Sequence, residues 1–334
     1  MQSVSGKHMK TIILIIISIL TCNRISAQTN FVDTSNYSHL RNLIKDQTFF
    51  IKMDSTNAIA YVKRGDCKLQ LADYYGAIKD YSKAIELKAD LNSEFNNRGY
   101  AYYNKAMSEY YLNDFNAAFI DYKNALNFIP DNADLYYSLG LTQSNLKDYN
   151  SSIPYYDKAI LLNPNYGKAY YKRGIAKYEL GKYEEAMADY NNAIKINDFA
   201  EVYYCRALTK SKLKDFNGAI TDDNKAIELN PSYSDAFNNR GTANLELKKH
   251  NDAIQDFNKA IELNENSYDA YSNRGSTKFF LKDNAGAIND LNKAIEIEPN
   301  YYDAYYNRAL VYESMGNFEK AKEDFNKADL LKQK

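Results

Sequence analysis

The sequence contains little of what catalysis, metal binding or cross-linking uses. Its 334 residues include three histidines, three cysteines, five prolines and no tryptophan. His8, His39 and His250 are far apart, and no phosphate-binding or nucleophile motif occurs, so we expect neither an enzyme nor a metal or cofactor site. The 42 basic residues are balanced by 43 acidic ones, which argues against a nucleic-acid partner.

Long apolar runs are also missing, so we expect no integral membrane span, which needs about 20 such residues. The longest predominantly apolar run, Ile12 to Leu20, follows Lys7 and Lys10 and precedes a small-residue cleavage site ending at Ala27. This order is typical of a secretory signal peptide. It predicts an exported protein, either periplasmic or secreted.

The alternative interpretation of this segment, which depends on Cys22, is a lipid anchor. Leu20-Thr21-Cys22 resembles a bacterial lipoprotein box, although Thr21 fits that pattern poorly. Lipidation of Cys22 would place the protein at the outer membrane, and the sequence leaves both alternatives open. It also leaves open whether the natural start is Met1 or Met9.

What the sequence does contain is a repeat. The stretch Ser234 to Ser267 is followed by a near copy, Tyr268 to Tyr301. Each copy has apolar residues at helical spacing twice over, which predicts two helices. One such hairpin cannot bury its apolar face alone, whereas stacked copies can. Eight copies align on one small residue in the first helix: Gly65, Gly99, Gly140, Gly174, Ala207, Gly241, Gly275 and Ala309.

The repeated residues resemble the tetratricopeptide repeat (TPR). One copy reads Gly174, Ala186, Tyr190 and Ala193, and prolines such as Pro164 end four copies. The resemblance implies an all-α, right-handed superhelical solenoid of about eight TPR helical hairpins. We divide the chain into a signal peptide (1–27), an N-terminal tail and capping helix (28–57) and a TPR array (58–334) with repeats at 58–91, 92–132, 133–166, 167–199, 200–233, 234–267, 268–301 and 302–334.

Two copies are irregular. The second has seven extra residues between Gly99 and Leu112, so we expect a longer first helix whose projecting tip, 107–111, either contacts a partner or is only solvated. The third carries Pro154 early in its second helix. Because proline lacks an N–H donor, that helix should start late or bend.

Charged residues recur with the repeat. Seven copies carry arginine before the small residue, namely Arg64, Arg98, Arg173, Arg206, Arg240, Arg274 and Arg308, and the same seven carry aspartate in the second helix, namely Asp80, Asp121, Asp189, Asp222, Asp256, Asp290 and Asp324. The remaining copy has Leu139 and Tyr155 instead. This joint change predicts direct contact between the two helices. The alternative is a groove for a charged ligand.

The ends of the array and the cysteines give further expectations. In the last copy Lys322 and Asp329 replace apolar residues of the second helix. A polar terminal face is typical of the last repeat of a solenoid, so we expect the array to end there. Cys67 and Cys205 lie four repeats apart, too far for a disulfide, and should be unpaired.

By resemblance to TPR proteins, a second stripe of each first helix lines a concave groove that binds peptides. The candidate groove residues are Asn97, Tyr137, Tyr171, Lys172, Tyr204, Asn239, Asn273 and Asn307. Asparagine side chains can bond to an extended peptide backbone, although here they could equally be polar filler. Asp235, Asp269 and Asp303 make the C-terminal part of the groove acidic.

The sequence therefore predicts a non-catalytic protein–protein interaction scaffold. It would bind an extended segment of a protein or peptide partner, whose identity the sequence does not give, in the groove. The alternative is a lipid-anchored outer-membrane assembly or carbohydrate-handling accessory protein attached through Cys22.

Overall fold

A computed structural model describes residues 34–87 and 95–332 of the chain, and these form α-helices and no strand. The predicted all-α helical-repeat fold is therefore confirmed. The helices are α1 (Thr34–Met53), α2 (Ala58–Gln70), α3 (Tyr74–Glu86), α4 (Phe95–Tyr111), α5 (Phe115–Leu126), α6 (Ala133–Asn145), α7 (Tyr149–Leu162), α8 (Gly167–Glu179), α9 (Tyr183–Ile196), α10 (Ala200–Lys212), α11 (Phe216–Leu229), α12 (Ser234–Glu246), α13 (His250–Leu263), α14 (Tyr268–Phe280), α15 (Asn284–Ile297), α16 (Tyr302–Ser314) and α17 (Phe318–Lys332).

The helices after α1 form eight hairpins, in each of which a first helix packs against a second helix. The chain divides into two compact units. Unit 1 ends at Pro164 and contains α1 to α7, and unit 2 begins at Asn165 and contains α8 to α17. Within unit 2 the first helices α8, α10, α12, α14 and α16 also contact one another in succession, so they lie side by side.

A short turn joins the two helices of every hairpin, and one of its residues has a left-handed backbone. These residues are Ala72, Asn113, Lys147, Gly181, Lys214, Lys248, Lys282 and Gly316, with φ between 59° and 75°. Glycine adopts this conformation without strain, yet only two of the eight are glycine. In five hairpins an aspartate then caps the second helix; the Asp215 carboxylate, for example, accepts the Gly218 N–H at 2.9 Å.

The core of each hairpin explains the small residue of the first helix. A Cβ atom at Gly174 would lie 2.6 Å from Cε1 of Tyr190, which is itself 1% exposed. Tyr81 and Gly65, Tyr156 and Gly140, and Phe257 and Gly241 repeat this arrangement. In these four hairpins the ring therefore lies so close to the first helix that no Cβ atom would fit at the small residue.

The predicted arginine–aspartate contact is confirmed for six hairpins. In each, Nε and Nη2 of the arginine donate to the aspartate 16 residues later; Arg274, for example, bonds Asp290 at 2.8 and 2.7 Å. In four of them, Arg206, Arg240, Arg274 and Arg308, Nη1 donates to the preceding second helix, as from Arg274 to Asn258 at 2.7 Å. One guanidinium therefore joins three helices.

The same contact defines the role of α1. Arg64 Nη1 donates to Thr48 of α1 at 3.1 Å, again across 16 residues. Thr48 thus occupies the position that Asn258 has relative to Arg274. Helix α1 therefore lies where the second helix of a preceding hairpin would lie.

The alignment of the second hairpin from sequence was wrong. Asp121 is bonded by Lys105 at 2.5 Å, across the usual 16 residues, and not by Arg98. The small residue is therefore Ala106, which is fully buried, and Gly99 instead approaches Phe128. The first helix is longer than the others, as predicted, but the additional residues lie at its N-terminal end.

The proposed tip, 107–111, is consequently not a tip. It includes Ser108 and Glu109, which are buried, and Tyr111, whose ring stacks on Tyr74 at 5.3 Å. Helical periodicity could not reveal the error, because a shift of seven residues is about two turns and leaves the apolar face in place.

In the third hairpin the second helix does not start late, so of the two expectations for it only the bend stays a prediction. Helix α7 begins at Tyr149, directly after its capping residue Asp148, and contains Pro154. Leu139 is fully buried in an apolar cluster against which Tyr155 packs, so an apolar pair does replace the ion pair here.

At the other positions singled out in the sequence, Lys322 and Asp329 are exposed. Cys67 and Cys205 are free thiols, as predicted. The proposed signal peptide and Cys22 lie outside the described residues.

Candidate functional site

The candidate site is one side of the first helices of unit 2. Each of these helices contributes three residues to this side: its second residue and the residues three and two places before the small residue. Together they form what we call the first-helix face: Lys168, Tyr171, Lys172, Glu201, Tyr204, Cys205, Asp235, Asn238, Asn239, Asp269, Ser272, Asn273, Asp303, Tyr306 and Asn307.

Polar contacts join the first helices across this face. Asn238 Nδ2 donates to Asp269 Oδ2 at 3.0 Å, and Asn273 Nδ2 donates to Asn238 Oδ1 at 3.0 Å. Asn307 Nδ2 donates to Ser272 Oγ at 3.4 Å. The amides that the sequence suggested for partner binding therefore also connect neighbouring hairpins.

The N-terminal part of the face is aromatic. Tyr171 and Tyr204 each pack against a ring that precedes the next first helix: Tyr171 on Phe199 at 5.5 Å and Tyr204 on Tyr233 at 5.0 Å between ring centroids. Burial raises the pKa of both tyrosine hydroxyls. They therefore stay neutral and can donate hydrogen bonds over the physiological pH range.

Lys172 and Cys205 lie beside these rings. The Lys172 amine is 5.1 Å from the Tyr171 ring centroid, and burial lowers the pKa of this amine. The Cys205 thiol contacts the Tyr171 hydroxyl at 3.8 Å, and burial raises the pKa of the thiol to about 11. The thiol is consequently protonated near neutral pH and is a poor nucleophile.

The three asparagines predicted for unit 2 are not equivalent. Asn273 and Asn307 are partly exposed on the face. Asn239 is only 8% exposed, and its Nδ2 donates to Asp223 Oδ2 at 2.7 Å. Its amide therefore points toward the second helix α11, and Asn273 and Asn307 remain as the accessible pair.

Two predicted residues lie in unit 1. Tyr137 is partly buried, with its ring 6.1 Å from that of Tyr156. The side chain of Asn97 lies outside the described residues. In the corrected alignment the equivalent position is Asn104, which donates to Asp66 at 3.0 Å and so joins α4 to α2.

Sequence reasoning missed two buried carboxyl groups. Asp223 is 0% exposed, stands where six other hairpins have an aromatic ring and one has Leu291, and its Oδ1 has no hydrogen-bond partner. Burial raises its pKa to about 8. Glu109 is 6% exposed with Oε2 unpartnered, and burial followed by the Asp121 charge raises its pKa to about 7. Asp223 was visible in the sequence as a carboxylate at an aromatic position.

Within residues 34–87 and 95–332, no group of three His, Cys, Asp or Glu side chains could hold a metal ion. None of the described helices combines the length and the apolar character that crossing a bilayer requires.

Comparison with known families agrees with this geometry. Family models described as tetratricopeptide repeat match residues 58–91, 133–166, 155–188, 200–233, 234–267 and 302–334, and a model described as TPR repeat matches 176–214 and 279–316. Together these ranges cover more than half of the chain. The protein is thus a helical-repeat protein, and it belongs to the tetratricopeptide repeat family.

Solved structures show the same fold at low identity. A tetratricopeptide repeat protein from Parabacteroides merdae is 23% identical with a TM-score of 0.60, covering 70% of this chain and 93% of its own. The APC/C hetero-tetramer Cut9–Hcn1 is 16% identical with a TM-score of 0.60, and this chain spans 56% of that chain's length and matches over 86% of its own. PilW, a type IV pilus biogenesis factor, is 17% identical with a TM-score of 0.54, covering 57% of this chain and 90% of its own. None of the curated proteins compared with the chain matches it in sequence.

Proposed function

We propose that the protein is a non-catalytic scaffold that binds an extended segment of a partner protein on the first-helix face of unit 2. The observation that carries this proposal is the row of partly exposed tyrosine and asparagine side chains on successive first helices, from Tyr171 to Asn307. TPR proteins commonly serve protein–protein interaction, and repeated first helices offer equivalent positions along an extended chain.

Asn273 and Asn307 would bind the partner through the hydrogen-bond acceptors that the fold leaves unused. Asn273 Nδ2 already donates to Asn238 at 3.0 Å and to Thr242 at 3.4 Å. Its carbonyl oxygen is an acceptor that no described donor reaches, and the same holds for Asn307. These oxygens can accept backbone N–H groups of an extended segment. Tyr171 and Tyr204 would supply apolar contact.

Capture with matched variants tests this proposal. The purified protein is mixed with an extract of the source cells, and captured proteins are quantified by mass spectrometry for the wild type and for Asn273→Ala/Asn307→Ala. The control, Asn251→Ala/Asn326→Ala, removes two exposed asparagines of the second helices α13 and α17. We expect the groove variant, and not the control, to lose partners. Equal capture by all three proteins would contradict the proposal.

We further propose that the protein acts outside the cytoplasm. The basis is the predicted signal peptide at residues 1–27. Fractionation and N-terminal sequencing should find a mature chain that begins at Gln28. If an inhibitor of signal peptidase II instead caused the precursor to accumulate, the lipid anchor at Cys22 would replace the cleaved form in this account.

A further inference from the structure

We infer that the partner segment is basic, with arginine or lysine side chains that bind two carboxylate–tyrosine sites on the first-helix face. This inference rests on the proposed function and specifies the chemistry of the partner. The four carboxylates involved form what we call the acidic column, one on each of four successive first helices: Glu201, Asp235, Asp269 and Asp303.

The acidic column differs from the second-helix aspartates in forming no salt bridge among the described residues, although the charge of Glu201 acts on the Lys172 amine. The second-helix aspartates are neutralised inside the fold; Asp222, for example, is bonded by Arg206 at 2.6 Å and by Lys210 at 2.7 Å. Among the described residues, no lysine or arginine forms an ion pair with any member of the acidic column. Burial, and then the charge of Asp269, raise the pKa of Asp235. Asp235 and Asp269 therefore repel each other, and Asp269 is stabilised by hydrogen bonds from Asn238, Ser267 and the Ala270 N–H but by no cation.

The neighbouring amides use N–H groups within the face. Asn238 donates one N–H to Asp269, and Asn273 donates N–H groups to Asn238 and Thr242. Amide and carboxylate oxygens are thus left as acceptors beside the acidic column, together with tyrosine hydroxyls, which can donate or accept. A donor-rich cationic side chain complements such a surface, whereas an acidic or purely acceptor group does not.

Tyrosine pairs flank two members of the column. Tyr204 and Tyr233 have ring centroids 5.0 Å apart, and the charge of Asp235 contributes to the raised pKa of both hydroxyls. Tyr268 and Tyr301 are 4.8 Å apart, and Asp303 contributes in the same way at Tyr301. An aromatic face beside a carboxylate binds cations through both interactions.

A buried group adjoins the first of these two sites. The carboxyl of Asp223 is 0% exposed and its Oδ1 has no hydrogen-bond partner. Burial raises its pKa to about 8, so it is mostly protonated at neutral pH, and its ionised form adds to the raised pKa of the Tyr204 and Tyr233 hydroxyls. A cation bound at this tyrosine pair would favour the ionised form of Asp223.

The repeat sets the spacing of the basic residues. The Asp235 and Asp303 sites are two hairpins apart, and neighbouring packed helices are separated by ~8–10 Å. The two sites are thus about 20 Å apart along the face. An extended chain rises ~3.3 Å per residue, so the two basic side chains should be about six positions apart and on the same side of the segment.

Fluorescence anisotropy with defined peptides tests the inference. The probe is a labelled 12-residue peptide of serine and threonine with two arginines six positions apart, and the comparison peptide has glutamate at both positions. We expect the arginine peptide to bind the mature protein, with affinity that falls as salt rises, and the glutamate peptide not to bind. The variant Asp235→Asn/Asp303→Asn should bind about tenfold more weakly, the equivalent of two exposed ion pairs.

The matched control is Asp252→Asn/Glu319→Gln. These residues are exposed first-turn carboxylates of the second helices α13 and α17, so the change in charge is the same on another side of the hairpins. Equal weakening by both double variants would show non-specific attraction and overturn the inference. Equal binding of both peptides would overturn it as well. If extract capture depended on Asn273 and Asn307 while the arginine peptide failed to bind, the docking face would stand and the basic partner would be wrong.

Discussion

The carboxyl group of Asp223 should make the stability of the protein depend on pH. It is 0% exposed, accepts one hydrogen bond from Asn239 at 2.7 Å, and leaves Oδ1 unpartnered. Burial is the largest cause of its raised pKa; Asn239 and Arg240 lower the value, while Asp222 and Asp256 raise it. The neutral acid is therefore the form that suits the folded state.

The sign and size of the effect follow from linkage. The pKa rises from 3.8 in the unfolded chain to about 8 in the folded one. Below pH 4 both states hold the proton and the contribution is fully present. Between pH 4 and 8 only the folded state holds it, so stability falls as pH rises, and above pH 8 the loss is complete. At ~1.4 kcal/mol per pKa unit, the full loss is on the order of 5 kcal/mol.

The test replaces the acid with its neutral isostere. Urea midpoints of wild type and Asp223→Asn, followed by circular dichroism from pH 4 to 9, should be closest at the acid end and diverge as pH rises, with the variant more resistant at pH 8. Asp252→Asn, at an exposed carboxylate, should follow the wild type throughout. Parallel curves for wild type and Asp223→Asn would refute the reasoning, because they would mean that Asp223 carries no proton in the folded state.

Two further predictions concern the repeat itself. Arg240→Leu should lower the free energy of unfolding by about 3 kcal/mol, because the buried Asp256 loses its arginine partner and the bond to Asn224 is removed. The double variant Arg240→Leu/Asp256→Tyr copies the third hairpin and should recover much of that loss in urea denaturation. No recovery would contradict the pairing. Ala72→Gly should raise the free energy of unfolding by about 0.5–1 kcal/mol and Gly181→Ala should lower it by about 1 kcal/mol, because both positions have positive φ. Melting temperatures of the two variants that shift in the same direction would contradict this.

The sequence was sufficient for the fold because every copy repeats the same two helices. An arginine and an aspartate recur together in seven copies, so their contact could be inferred without coordinates, and the structure confirms it in six. The same reasoning failed for the second hairpin. Arg98 and Gly99 have the sequence of the repeated arginine and small residue, and they lie seven residues before Lys105 and Ala106, which occupy those positions in the structure. Only the contact from Lys105 to Asp121 distinguishes the two alignments.

The candidate site was less predictable than the fold. The helical position of Asn239, Asn273 and Asn307 is the same, yet only Asn239 is buried. The orientation of the Asn239 side chain depends on a residue of another helix. Because Asp223 replaces an aromatic ring, the interior of the hairpin has both the space and the hydrogen-bond acceptor for the amide. Such a pairwise dependence cannot be read from the spacing within a single helix.

Photocrosslinking in cells tests most directly whether the first-helix face is the docking surface. A benzophenone amino acid replaces Tyr204 or Tyr306 on that face, or the exposed Phe318 of the second helix α17 as the control. The account predicts that irradiation yields a discrete crosslinked partner from Tyr204 and Tyr306 and none from Phe318. Crosslinks from Phe318 alone, or from none of the three positions, would contradict it.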